Sequence, residues 1–360
     1  MSHLPRLLPN VSAEEGPGWR DRIREPAAAA LVSLWRGLFE PPVPLAWLEE
    51  VSAAAWLNTE EAAAWAAEAG QTLFGGAPEI VARVHDKAFA LNAAREARLL
   101  PSPWNQIGVL EPAELRDPPR AWAILDARLA AEPDAFRAFT LKPRFGSSGR
   151  GRVAGRAEGG DRAAIEGAFS RLAKRGGALI EPWVERIADL SAQLLIEESG
   201  SVLLLGTFEQ CTSPAGIVRG HRGRVDSRGR ASSGSPHDEA LREAAVAMAL
   251  AASEAGYRGP CGVDAFVYRD GAGQEAFRPV VELNARFTVG QIALAEMRRA
   301  VPTLRERLGL APGVLCAFHF GLAPPAAGWP AEREGLVCSA SGDGPGLIAT
   351  REPESLPPAF

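Results

Sequence analysis

Residues 280–288 read Val-Val-Glu-Leu-Asn-Ala-Arg-Phe-Thr, a β-branched run leading into three residues with chemistry to offer. Alternation along a strand puts Glu282 and Asn284 on one face and Val281 and Leu283 on the other. A carboxylate and an amide oxygen two residues apart make a hard, all-oxygen site. Mg²⁺ takes such a site when it also holds phosphate oxygens. Arg286, one pleat further on, supplies a fixed cation for an anionic group in the same space. Upstream, residues 261–268 read as a second strand, and Asp270, Gly271 and Gly273 are turn residues before the chain returns toward Pro279 at the start of the next strand. Paired as a hairpin, the two strands bring Asp264 beside Glu282 and Asn284. Any one of these residues alone fits a solvated hairpin face better; their combination with a phosphate-binding loop elsewhere favours a metal site.

That loop lies in residues 136–153. Phe139-Thr140-Leu141-Lys142 reads as a strand ending in lysine, a loop containing Gly146, Ser147, Ser148, Gly149 and Gly151 follows, and a return strand opens at Val153. Successive backbone N–H groups in such a loop can cradle phosphates while Lys142 neutralises them. It is not a Walker A loop, because no Gly-Lys-Ser/Thr opens a following helix. Many Gly/Ser/Arg loops are mobile hairpin tips; the preceding lysine sets this one apart. Lys87 opens a helix-favouring segment with Asp86 as its N-cap, and taken alone it reads as a solvated first-turn lysine. Residues 178–184, Ala-Leu-Ile-Glu-Pro-Trp-Val, form an apolar strand running into an extended connector. Such a connector can present backbone groups to an adenine edge while Trp183 or Val184 packs the ring.

Several elements must hold these residues in place. Ile165, Phe169 and Leu172 mark one face of a helix over residues 162–175, ended by Gly176-Gly177. Leu241, Ala245, Met248 and Ala252 mark another over 237–255, and 290–300 reads as a helix stopped by Pro302. Strands are expected at 191–197 and 202–206. Residues 213–235 are rich in Gly, Arg and Ser, include Arg219, His221, Arg222 and Arg224, and read as a long, basic, mobile loop. The tail carries short strand-like runs at 314–320, 335–339 and 346–350. Near the N-terminus, 27–39 and 59–69 favour helix, with Pro41, Pro42 and Pro44 breaking the first. Trp35, Trp47, Trp56 and Trp65 read there as packing residues, and no Gly-rich phosphate fingerprint occurs.

At 360 residues, 46% apolar and 23% charged, the chain has room for two or three lobes with ample cores. A net charge of −5 gives no pull toward nucleic acid or anionic membrane. No apolar run reaches the roughly 20 residues that cross a bilayer, and no signal peptide is legible. Four cysteines without a C-x-x-C pair argue against a disulfide framework or a zinc site and toward a reducing cytoplasm. The Ala, Arg, Gly and Pro usage resembles that of a GC-rich bacterial genome.

In order along the chain, Lys87, Lys142 before its Gly/Ser loop, Glu181-Pro182-Trp183-Val184, Asp264 and Glu282-Leu283-Asn284-Ala285-Arg286 resemble the ATP-grasp superfamily over about residues 86–300. The resemblance is greatest to its carboxylate–amine ligase branch, which includes D-alanine–D-alanine ligase-like and amino-acid ligase enzymes. It implies an α/β (α+β) fold: a pre-grasp α/β lobe over 1–85, an ATP-grasp domain over 86–310 and a small C-terminal β extension over 311–360. Within the domain it implies a β-rich lid at about 136–205 with glycine loop and adenine hinge, and an antiparallel metal-binding core at about 206–310. It further implies Lys87, Lys142, Gly146, Ser147, Ser148 and Gly149 at the phosphates of ATP, and Glu181, Trp183 and Val184 at adenine. Asp189 falls to the ribose, at a spacing from Glu181 slightly longer than the family's. Asp264, Glu282 and Asn284 would hold one or two Mg²⁺, with Mn²⁺ as the alternative ion, and Arg286 with Lys142 would act on an acyl phosphate. The implied reaction joins a small-molecule carboxylate to an amine with release of ADP and phosphate. Loops 146–151 and 213–235 are the expected lids, with Arg219 and His221 as anion ligands in the second. The rivals are a kinase of the same fold acting on a hydroxyl and an inactive nucleotide-binding module. A homodimer is the prior for assembly.

Overall fold

The structure is a computed structural model that describes residues 5–16, 18–40, 45–102, 104–131, 137–146, 149–157, 162–213, 217–322, 336–340 and 346–350. Strands β1 (Arg6–Leu8) and β2 (Ala53–Ala55) pair in parallel near the N-terminus. The helix Pro26–Gly37 starts on proline, whose fixed φ suits a first turn. The helix Glu60–Ala67 is capped by Thr59, whose hydroxyl accepts from the Ala62 N–H. The tryptophans here act mainly in packing: Trp35, Trp47 and Phe39 surround Phe287 with ring centroids 5.6–6.1 Å away.

Four strands make a small antiparallel sheet: β3 (Gly108–Leu110), β4 (Ala138–Pro143), β5 (Val153–Arg156) and β6 (Ala178–Pro182), in the order β3-β6-β4-β5. The helices Pro118–Ala131 and Arg162–Lys174 cover it, and Leu125, Phe139, Leu141, Phe169, Leu172 and Ile180 form a core separate from that of the rest of the chain. A private core makes this sheet a body of its own.

The larger sheet has nine strands in the order β12-β11-β7-β8-β10-β9-β13-β15-β14, with β7 (Glu185–Ile196), β8 (Val202–Thr212), β9 (Val218–Val225), β10 (Ala231–Ser232), β11 (Gly259–Arg269), β12 (Glu275–Asn284), β13 (Cys316–Gly321), β14 (Leu336–Ala340) and β15 (Gly346–Thr350). The helices Asp238–Glu254 and Val289–Leu308 pack on it through Leu241, Ala245 and Met248 and through Ile292, Leu294 and Met297. No helix among the described residues is long and apolar enough to cross a membrane.

Four expectations differ from this architecture. The strand β7, grouped above with the lid, pairs in the large sheet, and the small sheet instead takes in β3 from upstream. Residues 218–225 form a strand rather than part of a mobile loop. Their glycines allow close backbone approach, and a Cβ at Gly223 would run into the Ser232 carbonyl, while Arg222 pairs with Glu209 at 2.5 Å. The last long helix runs through Pro302 to Leu308. Proline forfeits one backbone hydrogen bond there, but Val301, Leu304 and Leu308 continue the buried face and outweigh that loss. Finally, β12 begins at Glu275, and Pro279 falls inside it where the register with β11 shifts, a place where a missing N–H is tolerated.

Candidate functional site

Hairpin pairing sets the geometry. In the β11–β12 register Asp264 lies opposite Glu282 and Gly262 opposite Asn284, and β7 sets Ser191 opposite Asp264 on the other side. Residues directly opposite share a face, so Asp264, Glu282, Asn284, Ser191 and Asp189 line one side of the sheet. Asn284 Nδ2 donates to Asp264 Oδ2 at 3.0 Å, and Gln210 Nε2 reaches across β7 to donate to Asp264 Oδ1 at 2.9 Å.

Two lysines from different elements meet on the second carboxylate. Lys142, at the end of β4, places Nζ 3.3 Å from Glu282 Oε2, and Lys87, in the first turn of the helix Lys87–Glu96, places Nζ at 3.5 Å. Lys87 is buried, not solvated, and also donates to the Gly146 carbonyl at 2.7 Å. Asp86 caps its helix as expected, accepting from the Ala88 N–H at 2.8 Å, and is gripped by the forked guanidinium of Arg144. Arg286 Nη2 donates to Asn284 Oδ1 at 3.2 Å, and its Nε lies 3.5 Å from Glu14 Oε1.

The charges are unequal in effect. Burial and the neighbouring Glu282 both push the Asp264 carboxyl upward. Burial would raise Glu282 as well, but Lys142 and Lys87 outweigh it and hold that carboxyl well below its usual range. Burial lowers the Lys87 ammonium, with Glu282 opposing. Two carboxylates and an amide oxygen suit a hard divalent cation that draws its remaining ligands from phosphate and water. Among the described residues no cluster of three or more His, Cys, Asp or Glu stands ready to hold a metal alone.

The glycine loop begins beside this cluster. Gly146 and Gly149 have φ of +147° and +68°, a range that favours glycine; Ser147 and Ser148 lie outside the described residues. At the hinge, Glu181 is buried on β6 and its Oε1 accepts from Arg278 Nη2 at 2.9 Å, so its carboxylate serves an ion pair. Burial would raise Glu181, yet Arg278 and Lys142 bring it down to about 2. Trp183 is 45% exposed with the Arg152 guanidinium 4.8 Å above its ring, and Val184 is half-buried. Asp189 lies on the site face, but Arg186 and Thr212 already donate to its two oxygens at 2.8 and 2.9 Å. Arg219 is exposed on β9, and His221 is fully buried against Phe208, so His221 cannot serve as an anion ligand.

Solved structures share this arrangement of elements. The biotin carboxylase domain of the Hydrogenobacter thermophilus 2-oxoglutarate carboxylase, a dimer in complex with MgADP, ADP and bicarbonate, superposes with a TM-score of 0.51 at 18% identity, covering 82% of this chain and 68% of that one. Campylobacter jejuni biotin carboxylase, in complex with a β,γ-ATP ligand, gives 0.52 at 13% identity over 91% of this chain and 75% of that one. The chain has the ATP-grasp fold. No family model matches it, and no curated protein does.

Within this ATP-grasp fold, sequence reasoning missed four polar residues. Gln210 had no signal, since it lies beyond the strand expected at 202–206, in the part of β8 that runs on to Thr212. Glu14 and Arg278 lie outside every motif; only a three-dimensional view pairs them with Arg286 and Glu181. His85 stands next to the Asp86-Lys87 pair, and that adjacency was the one available clue.

Proposed function

We propose that the protein is an ATP-dependent ligase that activates a small-molecule carboxylate as an acyl phosphate and joins it to an amine. The observation that carries this reading is the convergence of Lys87 and Lys142 on Glu282, beside Asp264, Asn284 and Arg286. These are cations from two separate bodies, the lid and the core, meeting over two carboxylates. That arrangement suits a polyphosphate entering with a divalent cation. The complexes of the two biotin carboxylases with nucleotide support the same use of the cleft.

Asp264, Glu282 and Asn284 would hold one or two Mg²⁺, which when bound neutralise phosphate charge and relieve the repulsion between the two carboxylates. Lys142 and Lys87 then exchange Glu282 for phosphate oxygens and stabilise the negative charge that spreads over the γ-phosphoryl group as the substrate carboxylate attacks it. Backbone donors from Gly146 to Gly149 close over the phosphates, and the hinge from Glu181 to Val184 takes the base, with Trp183 as its apolar wall. Asp189 would accept from the ribose only by giving up Arg186 or Thr212. Arg286 steadies the acyl phosphate until the amine attacks its carbonyl carbon, expelling phosphate and losing a proton. Water must be kept from that intermediate, and closure of the glycine loop would serve that end. A homodimer fits the dimeric carboxylase domain. Buried, unpaired Cys211, Cys261 and Cys316 fit a reducing cytoplasm.

The test is release of ADP and phosphate from Mg-ATP against pooled acids and amines, with Glu282→Gln as control. Phosphate release that needs both an acid and an amine, and vanishes in the variant, supports the ligase. ADP release without free phosphate would replace it with a kinase.

A further inference from the structure

Three consecutive residues join three parts of this site. Lys87 reaches Glu282 and the glycine loop, Asp86 holds Arg144 on the lid, and His85 faces the end of β12. The first two lie in the resemblance; the third does not. His85 is the last residue of the helix Pro78–His85 and is 5% exposed. Its Nδ1 accepts the N–H of Ala285 at 3.3 Å. That hydrogen bond assigns the ring proton to Nε2, which has no hydrogen-bond partner among the described residues.

Ala285 lies between Asn284 and Arg286, beyond the last ladder pair of β12. At 1% exposure its N–H has no water to turn to, and β12 is the outermost strand on that side of the sheet. Without His85 this donor would be buried and unpaired, a cost the segment could relieve only by shifting. Its neighbours are also held by the backbone: Arg286 N–H donates to the Asn284 carbonyl at 2.9 Å and Phe287 N–H to the Trp56 carbonyl at 3.2 Å. Every fastening in this stretch bears on where Asn284 Oδ1 and Arg286 point.

We infer that His85 is a positioning residue for the metal-binding arm: through the Ala285 N–H it sets the end of β12, and so the placing of Asn284 and Arg286 for a nucleotide-bound divalent cation. The inference rests on the nucleotide reading above. Burial and Arg286 depress the imidazole to about 4, so Nδ1 remains an acceptor at neutral pH. Partners that orient metal ligands typically change metal affinity about 10- to 100-fold when removed.

The test is calorimetric titration of the full-length protein with ADP, with and without Mg²⁺, in wild type, His85→Asn, His85→Gln and His85→Leu. Asparagine places an acceptor oxygen where Nδ1 stands. Glutamine matches the Nε2 position instead, and leucine offers no acceptor. The expected result is MgADP binding weakened about tenfold in His85→Leu and His85→Gln, recovered to within about twofold in His85→Asn, with metal-free ADP binding alike in all four. If the leucine variant does not fold, the Asn–Gln contrast carries the test. Equal MgADP binding by Asn and Gln variants overturns the inference, as does an equal loss of ADP binding with and without Mg²⁺. A wild type that binds no MgADP overturns the nucleotide reading itself, and the inference with it.

Discussion

Asp264 and Glu282 are directly opposed across the β11–β12 pair, yet the first is held by two amide donors and the second by two ammonium groups. Like charges so placed repel, and the two carboxylates should differ in what their removal costs. Asp264→Asn relieves the repulsion but sets an amide donor against Gln210 or Asn284, so the effects partly offset and the ligand-free protein loses at most about 1–2 kcal/mol. Glu282→Gln strands two lysines and costs about 3 kcal/mol. Both abolish turnover. Urea unfolding of the two variants checks this, and an Asp264→Asn loss as large as that of Glu282→Gln would refute it.

The ion pair between Arg150 and Glu15, 2.8 Å long, ties the glycine loop to the turn Ala13–Glu15, and Arg150 also donates to Ser12 Oγ at 2.9 Å. Breaking it with Glu15→Gln or Arg150→Ala should loosen the loop and let water compete with the amine. Expected are faster amide exchange across residues 146–151 and a several-fold rise in ATP hydrolysis uncoupled from product. The charge-swapped double variant should recover part of the coupling.

Burial of Glu181 against Arg278 predicts an acid-labile hinge. The carboxyl lies at about 2 in the folded protein, below its unfolded value of 4.5. Its contribution to stability is therefore full above about 4.5 and is lost as pH falls toward about 2. Wild type should lose up to about 3 kcal/mol over that window through this group, and Glu181→Gln should lack that part of the slope. Thermal melts at pH 5, 4 and 3 measure the difference; parallel slopes would remove Glu181 from the account.

Trp183 is a large, half-open ring at the hinge and makes little of the core. If it walls the base pocket, Trp183→Ala should raise the KM for ATP about five- to tenfold and leave kcat within twofold, the pattern of lost uniform binding. It should also remove any change in tryptophan fluorescence on adding ADP.

The hairpin and its face were legible because strand period and turn residues are local properties. Asp264, Glu282 and Asn284 meet as alternation requires, and the helix Arg162–Lys174 buries the Ile165, Phe169 and Leu172 face read from its spacing. What escaped depends on distant partners. Residues 218–225 look like a loop because Gly is a poor strand former, and pairing with the strands β8, β10 and β13 makes their extended form favourable. Pro302 reads as a stop because the buried face that carries the helix past it is invisible locally. Lys87 looks solvated until β12 arrives beside it, and the ion pairs of Glu14 with Arg286 and of Glu181 with Arg278 join residues with no shared pattern.

Lys142 belongs to the four-stranded sheet, whereas Lys87, Asp264, Glu282 and Arg286 belong to the body that the N-terminal aromatics clasp through Phe287. Glu282 is thus a carboxylate on which cations from both bodies converge, and of the two lysines Lys142 is the one whose place depends on how the small sheet sits against the large one. The charge balance at that carboxylate is therefore a property of two bodies and of neither alone.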